Sequence, residues 1–292
     1  MAPLSKLSLF SDNQSFLDDH LGLLLNRFKG QYNFSKRKIA ETIIWDVFAE
    51  YSTLESWLND IFSDGNETLP EFDYILWPNN HLRAPKLLVF DMDSTFIQIE
   101  VIDELAKRHG VGESVSKVTE AAMRGELDFS ESLISRVACL QGLADSTIEY
   151  IRHRLPLSKG VDQLVDSCQK QGIKIAIVSG GFTPFVSHLK NTLGLYRVKA
   201  NDLEIANGEL TGHVLGHIVD AKAKAEFVNE LKDELKLSRN DIMTIGDGAN
   251  DLMMMSESGF NLAYRAKASV QQQAKGRMNH TNLNQLADIF DW

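Results

Sequence analysis

The pattern of apolar positions differs between the first 80 or so residues and the rest of the chain. In the first part, apolar side chains recur at three- and four-residue steps over two stretches, 16–28 and about 35–63. This spacing is the signature of an amphipathic helix. A loop-forming sequence rich in polar residues follows at 63–70. We therefore predict a mainly helical N-terminal module over residues 1–82.

From residue 86 onward, short apolar runs alternate with helical patterns. Three runs have the length and composition of buried parallel strands: Leu87–Phe90, Ile173–Val178 and Ile242–Ile245. Each is followed by a polar or glycine-containing turn and then by a helix, which predicts a doubly wound α/β sheet over residues 83–292. The pair Asn207-Gly208 predicts a hairpin added to this sheet.

One connection in this alternating pattern is unusually long. About 80 residues separate the first two strands, and they contain four helical segments: Ile102–His109, Ser114–Met123, Asp128–Leu140 and Asp145–Leu155. A simple crossover needs only about a dozen residues. We therefore predict a helical cap inserted at about 102–156, over the carboxyl ends of the strands, where open α/β sheets bind ligands.

Composition and charge narrow the function classes. The 292 residues carry a formal charge of −10, which argues against a general binder of nucleic acid or anionic membranes. No aliphatic run approaches the ~20 residues of a membrane span, and the N-terminus lacks a signal-peptide pattern. Cys139 and Cys168 have no metal-type spacing and suit a reducing compartment. We therefore expect a cytoplasmic protein.

Two acidic motifs follow predicted strands. Asp91 and Asp93 stand at i and i+2 directly after the first strand, within Asp-Met-Asp-Ser-Thr. Asp247 follows the strand at 242–245, and Asp251 comes four residues later, where a new helix can turn it to the same side. Glycines around Asp247 permit a tight turn close to an ion. A bare pair of aspartates is a weak signal, but the strand contexts strengthen it.

Two further segments could bind an anion. Ser179 is followed by Gly180 and Gly181 at the end of the second strand, where backbone N–H groups can approach an oxygen closely. Lys222 and Lys224 lie at a helix start after the hairpin. Taken alone, the Ser-Gly-Gly segment is also typical of an ordinary glycine turn, and a lysine on a helix is usually exposed to solvent.

Together the four segments contain the groups that phosphoryl transfer requires. A carboxylate nucleophile divides hydrolysis into two easier steps through a covalent intermediate. A hard divalent cation with oxygen ligands, with Mg²⁺ as the expected ion, offsets the charge of carboxylate and phosphate. Hydroxyl, ammonium and backbone N–H groups then hold the phosphoryl oxygens. The sequence therefore predicts a metal-dependent phosphoryl-transfer enzyme.

These motifs resemble those of the haloacid dehalogenase superfamily, and within it the phosphoserine phosphatase family. The similarity covers about residue 85 to the end, including the motifs at 91–95, 178–182 and 246–251 and the lysine at 224. Cap segments at 100–104, 122–129 and 132–137 also match. The resemblance implies a HAD-like fold and Mg²⁺-dependent hydrolysis of O-phospho-L-serine to L-serine and phosphate, the closing step of serine biosynthesis.

The resemblance also implies roles for individual residues. Asp91 would be the nucleophile and a metal ligand, and Asp93 the general acid and base, with its backbone carbonyl on the metal. Asp247 would be a further metal ligand, supported by Asp251. The phosphate would be held by a set of four residues, in which Lys224 is favoured over Lys222: Ser179, Gly180, Lys224 and Asn250.

The amino-acid end of the substrate is assigned to the cap. The resemblance implies that Glu100 and Arg136 bind the ammonium and the carboxylate, while Met123 and Phe129 close over the ligand. An arginine suits a carboxylate because its planar fork donates two parallel hydrogen bonds. Without the resemblance, Glu100 near a helix start and Arg136 on a helix surface would be interpreted as structural residues.

Two alternatives stay open at this point. One is a related phosphomonoesterase or phosphotransferase that acts on another small phosphorylated metabolite. The other is a catalytically silent metabolite-binding relative, against which the intact Asp91, Asp93 and Asp247 argue. Some relatives carry an amino-acid-binding regulatory domain of alternating strands and helices, and the helical pattern of residues 1–82 argues against one here. The apolar helix faces of that module are compatible with a homodimer.

Overall fold

One sheet of eleven strands runs through the part of the chain described by the computed structural model, residues 4–12, 32–39, 42–63, 72–78 and 81–292. The strands are β1 (Ser5–Ser11), β2 (Asn33–Ile39), β3 (Thr42–Ala49), β4 (Asp73–Leu76), β5 (Leu87–Phe90), β6 (Lys174–Phe182), β7 (Arg197–Ala206), β8 (Glu209–Leu215), β9 (Ile242–Gly246), β10 (Phe260–Tyr264) and β11 (Gly276–Met278). Their spatial order is β2-β3-β1-β4-β11-β10-β9-β5-β6-β7-β8.

The helices lie between these strands. They are α1 (Tyr51–Ser63), α2 (Val101–His109), α3 (Gly112–Met123), α4 (Phe129–Ala138), α5 (Asp145–Arg152), α6 (Val161–Lys170), α7 (Thr183–Leu193), α8 (Ala221–Glu234), α9 (Leu252–Ser256), α10 (Ala268–Gln271) and α11 (Gln285–Phe290). Among the residues that the structure describes, no helix is both long and apolar enough to cross a membrane.

The central strands are parallel, as the sequence predicts. β5 pairs with β6 and β9, and the parallel pairing continues outward through β7 on one side and β10 and β11 on the other. Alternate residues of β5 point to opposite faces, because side chains alternate along a strand. Leu88 and Phe90 enter one hydrophobic cluster, whereas Leu87 and Val89 enter another. Both faces are therefore buried, which explains the continuous apolar run of β5.

The N-terminal module is not mainly helical in the residues that are described, so that prediction was wrong there. Residues 35–39 and 42–49, expected in a helix, lie in the antiparallel strands β2 and β3, and β1 and β4 extend the same sheet. The run Thr42–Ala49 is rich in β-branched and aromatic residues, which favour strands. Only α1 fits the predicted helix, and the expected helix at 16–28 lies outside the described residues.

The strands of the N-terminal module bear on whether it is a regulatory domain. A helical module spoke against a regulatory domain of strands and helices. The described N-terminal residues instead form four antiparallel strands, and α1 contributes Leu54, Trp57 and Leu58 to the hydrophobic cluster of that sheet. The helical pattern predicted for residues 1–82 therefore no longer argues against such a domain.

The N-terminal strands are joined to the C-terminal segment by hydrogen bonds as well as by the sheet. β4 pairs with β11. The buried carboxylate of Asp73 accepts backbone hydrogen bonds from residues 279–281. Arg37 donates to the carbonyl oxygens of Asp288 and Ile289, at the end of α11. These contacts make the N-terminal strands a continuation of the main body.

Five helices, α2 to α6, lie between β5 and β6, and each of the first four overlaps one of the predicted helical segments. α4 begins with a capping box, in which Asp128 accepts from the backbone of Glu131 and Glu131 accepts in return. The segment after α4 pairs with the hairpin of β7 and β8: Gly142 N donates to Leu210 O at 2.8 Å. The predicted hairpin is confirmed, and it supports these helices.

Candidate active site

The candidate residues meet at the carboxyl edge of the parallel strands. Asp91 directly follows β5, Asp247 directly follows β9, and Ser179 lies in the last part of β6. These strands are neighbours in the order β9-β5-β6, so their ends converge. The Asp91 backbone N–H donates to the carbonyl of Ile245 at 2.9 Å, which fixes the two loops relative to each other.

Lys224 joins two carboxylates at the floor of the site. Its ammonium donates to Asp91 Oδ1 at 2.6 Å and to Asp251 Oδ1 at 2.7 Å, and its side chain is fully buried. Burial alone would lower the pKa of Lys224, but Asp251 and Asp91 raise it above its usual range. Burial and Asp251 raise the pKa of Asp91, against the opposing effect of Lys224. The lysine is therefore a permanent positive charge beside Asp91.

The chain turns sharply between Asp91 and Thr95, which directs Asp93 into the site. Ser94 has a φ of 55°, a conformation that non-glycine residues seldom adopt. The carboxylate of Asp93 accepts from Val101 N at 2.9 Å and from Ser179 Oγ at 3.3 Å. Burial and the nearby Glu100 carboxylate raise the pKa of Asp93 to about 7. Asp93 can therefore both donate and accept a proton near neutral pH.

The loop after β9 positions a third acidic group. Asp247 accepts a hydrogen bond from Thr95 Oγ1 at 3.0 Å. Its pKa rises to about 6, because of burial and the neighbouring Asp251. Asp251 in turn accepts from the backbone N–H of Gly248 at 3.0 Å, so the loop closes on itself. Gly246 permits this approach, since a Cβ atom there would lie 2.5 Å from an Asp251 carboxylate oxygen.

The acidic groups at the floor fit a hard divalent cation. One carboxylate oxygen each from Asp91, Asp247 and Asp251 lies within 4.8 Å of the others. Burial raises the pKa values of Asp91 and Asp247, and repulsion from the Asp251 carboxylate raises them further, which a bound cation would relieve. Oxygen ligands of this type are those preferred by Mg²⁺ and Ca²⁺.

The end of β6 places two glycines against candidate residues of the site, Asp93 and Phe129. A Cβ atom at Gly181 would lie 2.6 Å from Asp93 Oδ2, and one at Gly180 would lie 2.7 Å from Phe129 Cζ of the cap. Any side chain at either position would displace these neighbours. The buried Asn201 holds the same segment, since its amide donates to Gly180 O at 2.8 Å and its Oδ1 accepts from Val219 N.

A cavity of about 580 Å³ separates this floor from the cap. Its cap wall includes Glu100, Met123, Phe129 and Arg136. Glu100 accepts from Ser94 Oγ at 2.7 Å. Burial lowers the pKa of the Arg136 guanidinium, whose Nε donates to Ser132 O at 3.3 Å. An anionic and a cationic group therefore line the same wall.

The structure brings the sequence-predicted residues into one region. Those lining the cavity are Asp91, Asp93, Glu100, Met123, Phe129, Arg136, Gly180, Asp247 and Asn250. The three remaining residues lie buried behind this surface and contact it through hydrogen bonds: Ser179, Lys224 and Asp251. The alternative lysine, Lys222, is exposed and pairs with Glu226 instead.

Sequence reasoning missed several residues of the site: Thr95, Asp103, Asn201 and Lys267. Thr95 belongs to the first acidic motif, and its position beside Asp93 was the available signal. Asn201 is a buried polar residue within a strand, and it contacts glycines about 20 positions earlier. Asp103 and Lys267 also line the cavity; Asp103 lies within the matched cap segment 100–104, whereas Lys267 lies outside the motifs described above.

Comparisons with known proteins agree with this geometry. Residues 85–259 match the haloacid dehalogenase-like hydrolase family. A phosphoserine phosphatase of Archaeoglobus fulgidus is 45% identical over 208 residues, which cover 71% of this chain and 60% of that protein. The match thus spans less than two thirds of that relative's length. A phosphoserine phosphatase of Idiomarina loihiensis is 45% identical over 68% of this chain and 91% of its own.

The likeness extends to the fold. The unliganded crystal structure of a probable phosphoserine phosphatase from Vibrio cholerae superposes with a TM-score of 0.77 at 35% identity. It covers 98% of this chain and 86% of that one, so the likeness reaches beyond the family match into the N-terminal part. Sequence match, parallel sheet and acidic floor agree, and the chain belongs to the haloacid dehalogenase-like hydrolase family.

Proposed function

We propose that the protein is a Mg²⁺-dependent phosphoserine phosphatase that hydrolyses O-phospho-L-serine to L-serine and phosphate. The observation that carries this proposal is the composition of a single cavity. Its floor holds Asp91 and Asp93, and its cap wall holds Glu100 and Arg136. The relatives named phosphoserine phosphatase support the same substrate.

In the first half-reaction, a carboxylate oxygen of Asp91 attacks the phosphorus atom. The bond from phosphorus to the serine oxygen breaks, and the electron pair stays on that oxygen. Asp93 donates its proton there, so that L-serine leaves as a neutral alcohol. A pKa of about 7 suits this role, because a substantial fraction of Asp93 carries a proton at neutral pH.

In the second half-reaction, Asp93 is a carboxylate and removes a proton from water. The water oxygen forms a bond to phosphorus as the bond from phosphorus to the Asp91 oxygen breaks. Phosphate leaves, and both aspartates return to their starting states. Throughout, Lys224 offsets negative charge next to Asp91, and Ser179 and the backbone N–H groups near Gly180 hold the phosphoryl oxygens.

The metal would be held by Asp91, Asp247 and the backbone carbonyl of Asp93, with Asp251 supporting the shell. The cluster of carboxylate oxygens supports this assignment. When bound, Mg²⁺ supplies neutralisation of the negative charge that nucleophile and phosphate bring together. Thr95 keeps the Asp247 carboxylate oriented toward the other ligands by its hydrogen bond.

Recognition of serine would fall to the cap wall. Glu100 would accept from the substrate ammonium, and Arg136 would donate to its carboxylate. Ser94 holds the Glu100 carboxylate at 2.7 Å, which orients it before substrate arrives. Met123 and Phe129 would cover the ligand, and Asn250 would reach the phosphate from the loop after β9.

The same proposal includes the organisation of the chain. Residues 83–292 would form the catalytic unit, with the cap inserted at about 102–156, and residues 1–82 a second unit. Both cysteines are free thiols, which supports a reducing, cytoplasmic location. The homodimer stays a prediction.

Phosphate release from a panel of phosphomonoesters tests the proposal. With Mg²⁺, phosphoserine should give the highest kcat/KM, and chelation of the metal should abolish turnover. Asp91→Asn should reduce kcat by a factor on the order of 10⁴ or more, because the nucleophile is lost. Asp162→Asn, an exposed aspartate on α6, is the matched control and should keep full activity.

Two results would contradict the proposal in different ways. If another ester is clearly preferred over phosphoserine, the substrate is wrong while the chemistry stands. If Asp91→Asn keeps substantial activity, the phosphoryl-aspartate is wrong. Rapid acid quenching and mass spectrometry of the wild type would detect a phosphate on Asp91. If it is found there, any activity of the Asp91→Asn variant comes from a contaminating phosphatase.

A further inference from the structure

The wall of the cavity carries more acidic than basic side chains, although the proposed substrate is an anionic phosphate ester. Among the described residues that line it, the acidic ones are Asp91, Asp93, Glu100, Asp103 and Asp247, and the basic ones are Arg136 and Lys267. Arg136 lies on the cap wall, where the proposed function places the substrate carboxylate. Even with the proposed Mg²⁺ on the floor, these side chains without Lys267 carry more negative than positive charge, so in a chain of net charge −10 a cation at the entrance would favour the approach of a dianionic phosphate.

Lys267 occupies such an entrance position. Its side chain is exposed and also lines the cavity, so it lies at the rim. Its backbone N–H donates to the carbonyl of Asp247 at 3.1 Å, which ties the residue to the acidic floor. Within the part of the chain that the structure describes, the lysines with an ion pair at 4.0 Å or less include Lys6, Lys86, Lys199, Lys222 and Lys224 but not Lys267.

Lys224 cannot perform the same task. Its ammonium is buried and already donates to Asp91 and Asp251, so two carboxylates share its single charge. The two lysines thus differ in what is available to an incoming anion. Lys224 is fixed at the reaction centre, whereas Lys267 has a solvated ammonium on a flexible stem.

We propose that Lys267 is a substrate-binding residue that draws the phosphate group of the ester into the cavity. This inference rests on the proposed phosphatase function and adds a residue to it. The ammonium offsets the repulsion from the acidic wall during approach and initial binding. Because it is not held at the reaction centre, it contributes to substrate capture and leaves the chemical steps to Asp91, Asp93 and Lys224.

Steady-state kinetics of Lys267→Met and Lys267→Arg at low and high ionic strength test this role. At low salt, Lys267→Met should lower kcat/KM roughly two- to tenfold through KM, with kcat unchanged. Lys267→Arg should restore most of the loss, because the charge is kept. The difference from wild type should shrink at high salt, where exposed charges are screened.

Lys170→Met, which removes an exposed lysine at the end of α6, is the matched control and should behave as wild type in both salts. Equal thermal unfolding temperatures would exclude a folding defect. The inference is overturned if Lys267→Met matches Lys170→Met at low salt, or if it lowers kcat with KM unchanged.

The outcome separates this inference from the proposed function. If wild type hydrolyses another phosphomonoester instead of phosphoserine, the substrate assignment fails, and the same variants compared on that ester still decide the role of Lys267. If wild type hydrolyses no phosphomonoester, both proposals fail together.

Discussion

The floor and the cap wall of the cavity are built in different ways. On the floor, Asp91 and Asp251 are buried, and both accept hydrogen bonds from the buried ammonium of Lys224. On the cap wall, Met123 is 79% exposed, and Arg136 donates to a carbonyl of its own helix through Nε at 3.3 Å. The groups proposed for chemistry are therefore held by the body of the protein before substrate arrives. Those proposed for recognition keep polar atoms available for a ligand.

This difference has an energetic side. An ammonium between two buried carboxylates is costly to desolvate, and its Coulombic gain does not guarantee net stabilisation. The buried ammonium instead provides a fixed positive charge where negative charge would develop during the proposed phosphoryl transfer. The half-buried Arg136 loses less solvation than the fully buried Lys224. Substitutions should therefore affect stability and kcat on the floor, but KM on the cap wall.

The largest effect is expected from Lys224→Met. It leaves Asp91 and Asp251 buried without their cation, which should cost about 3–5 kcal/mol in the free energy of unfolding. It should also lower kcat about 10²- to 10³-fold, through loss of charge stabilisation. Urea denaturation and steady-state kinetics measure the two effects. Lys222→Met on the same helix is the control, and equal behaviour of both variants would contradict the contrast between floor and surface.

A smaller and purely kinetic effect is expected from Arg136→Lys. The ammonium keeps the charge but loses the planar fork, so KM for phosphoserine should rise about tenfold while kcat changes little. A phosphomonoester without a carboxylate is the matched control substrate, and its KM should not change. A uniform loss on both substrates would instead place Arg136 in the structural support of the cap.

The smallest effect concerns Asp241, at the opposite end of β9 from Asp247. Burial would raise the pKa of Asp241, but hydrogen bonds from Ser238 and the ammonium of Lys86 lower it to about 2. Because the pKa of Asp241 is lower in the folded state, its ionised carboxylate stabilises the protein at pH values above the unfolded-state pKa of about 3.9. This stabilisation is lost as the pH falls toward 2.

Asp241→Asn should therefore lower the free energy of unfolding by about 1 kcal/mol at neutral pH, and by less as the pH approaches 2. Thermal unfolding across this pH range measures the change. Activity at neutral pH should stay at the wild-type level, since the residue lies away from the cavity. A loss of activity without a loss of stability would show that the two ends of β9 are coupled.

The sequence allowed the catalytic body to be predicted because its signals are local. Leu87–Phe90 is wholly apolar and is followed at once by Asp91, so strand and site could be placed together. The N-terminal strands were not predicted, and the reason is physical. In Thr42–Ala49, Ile43, Ile44 and Val47 are all buried, and such a run satisfies helical spacing as well as a strand buried on both faces.

Two residues of the site, Asn201 and Lys267, were missed for a different reason. Asn201 acts through contacts with Gly180 and Val219, about 20 positions away on either side, and no short motif records that geometry. Lys267 reaches the cavity because β10 runs beside β9, which is a fact of sheet order. Asn201 and Lys267 are brought to the site by topology and could not be predicted from motifs, whereas Thr95 and Asp103 lie within motifs and were overlooked there.

The pairing of β4 with β11 has a consequence for any shortened form of this chain. β11 is an interior strand because β4 occupies its outer side. A protein beginning after residue 80 would present the backbone N–H and C=O groups of β11 to solvent, and the carbonyls that Arg37 binds at the end of α11 would lose their donor. Exposed strand edges pair readily with other chains. In this molecule the N-terminal strands cover that side of β11 and move the outer edge of the sheet to β2.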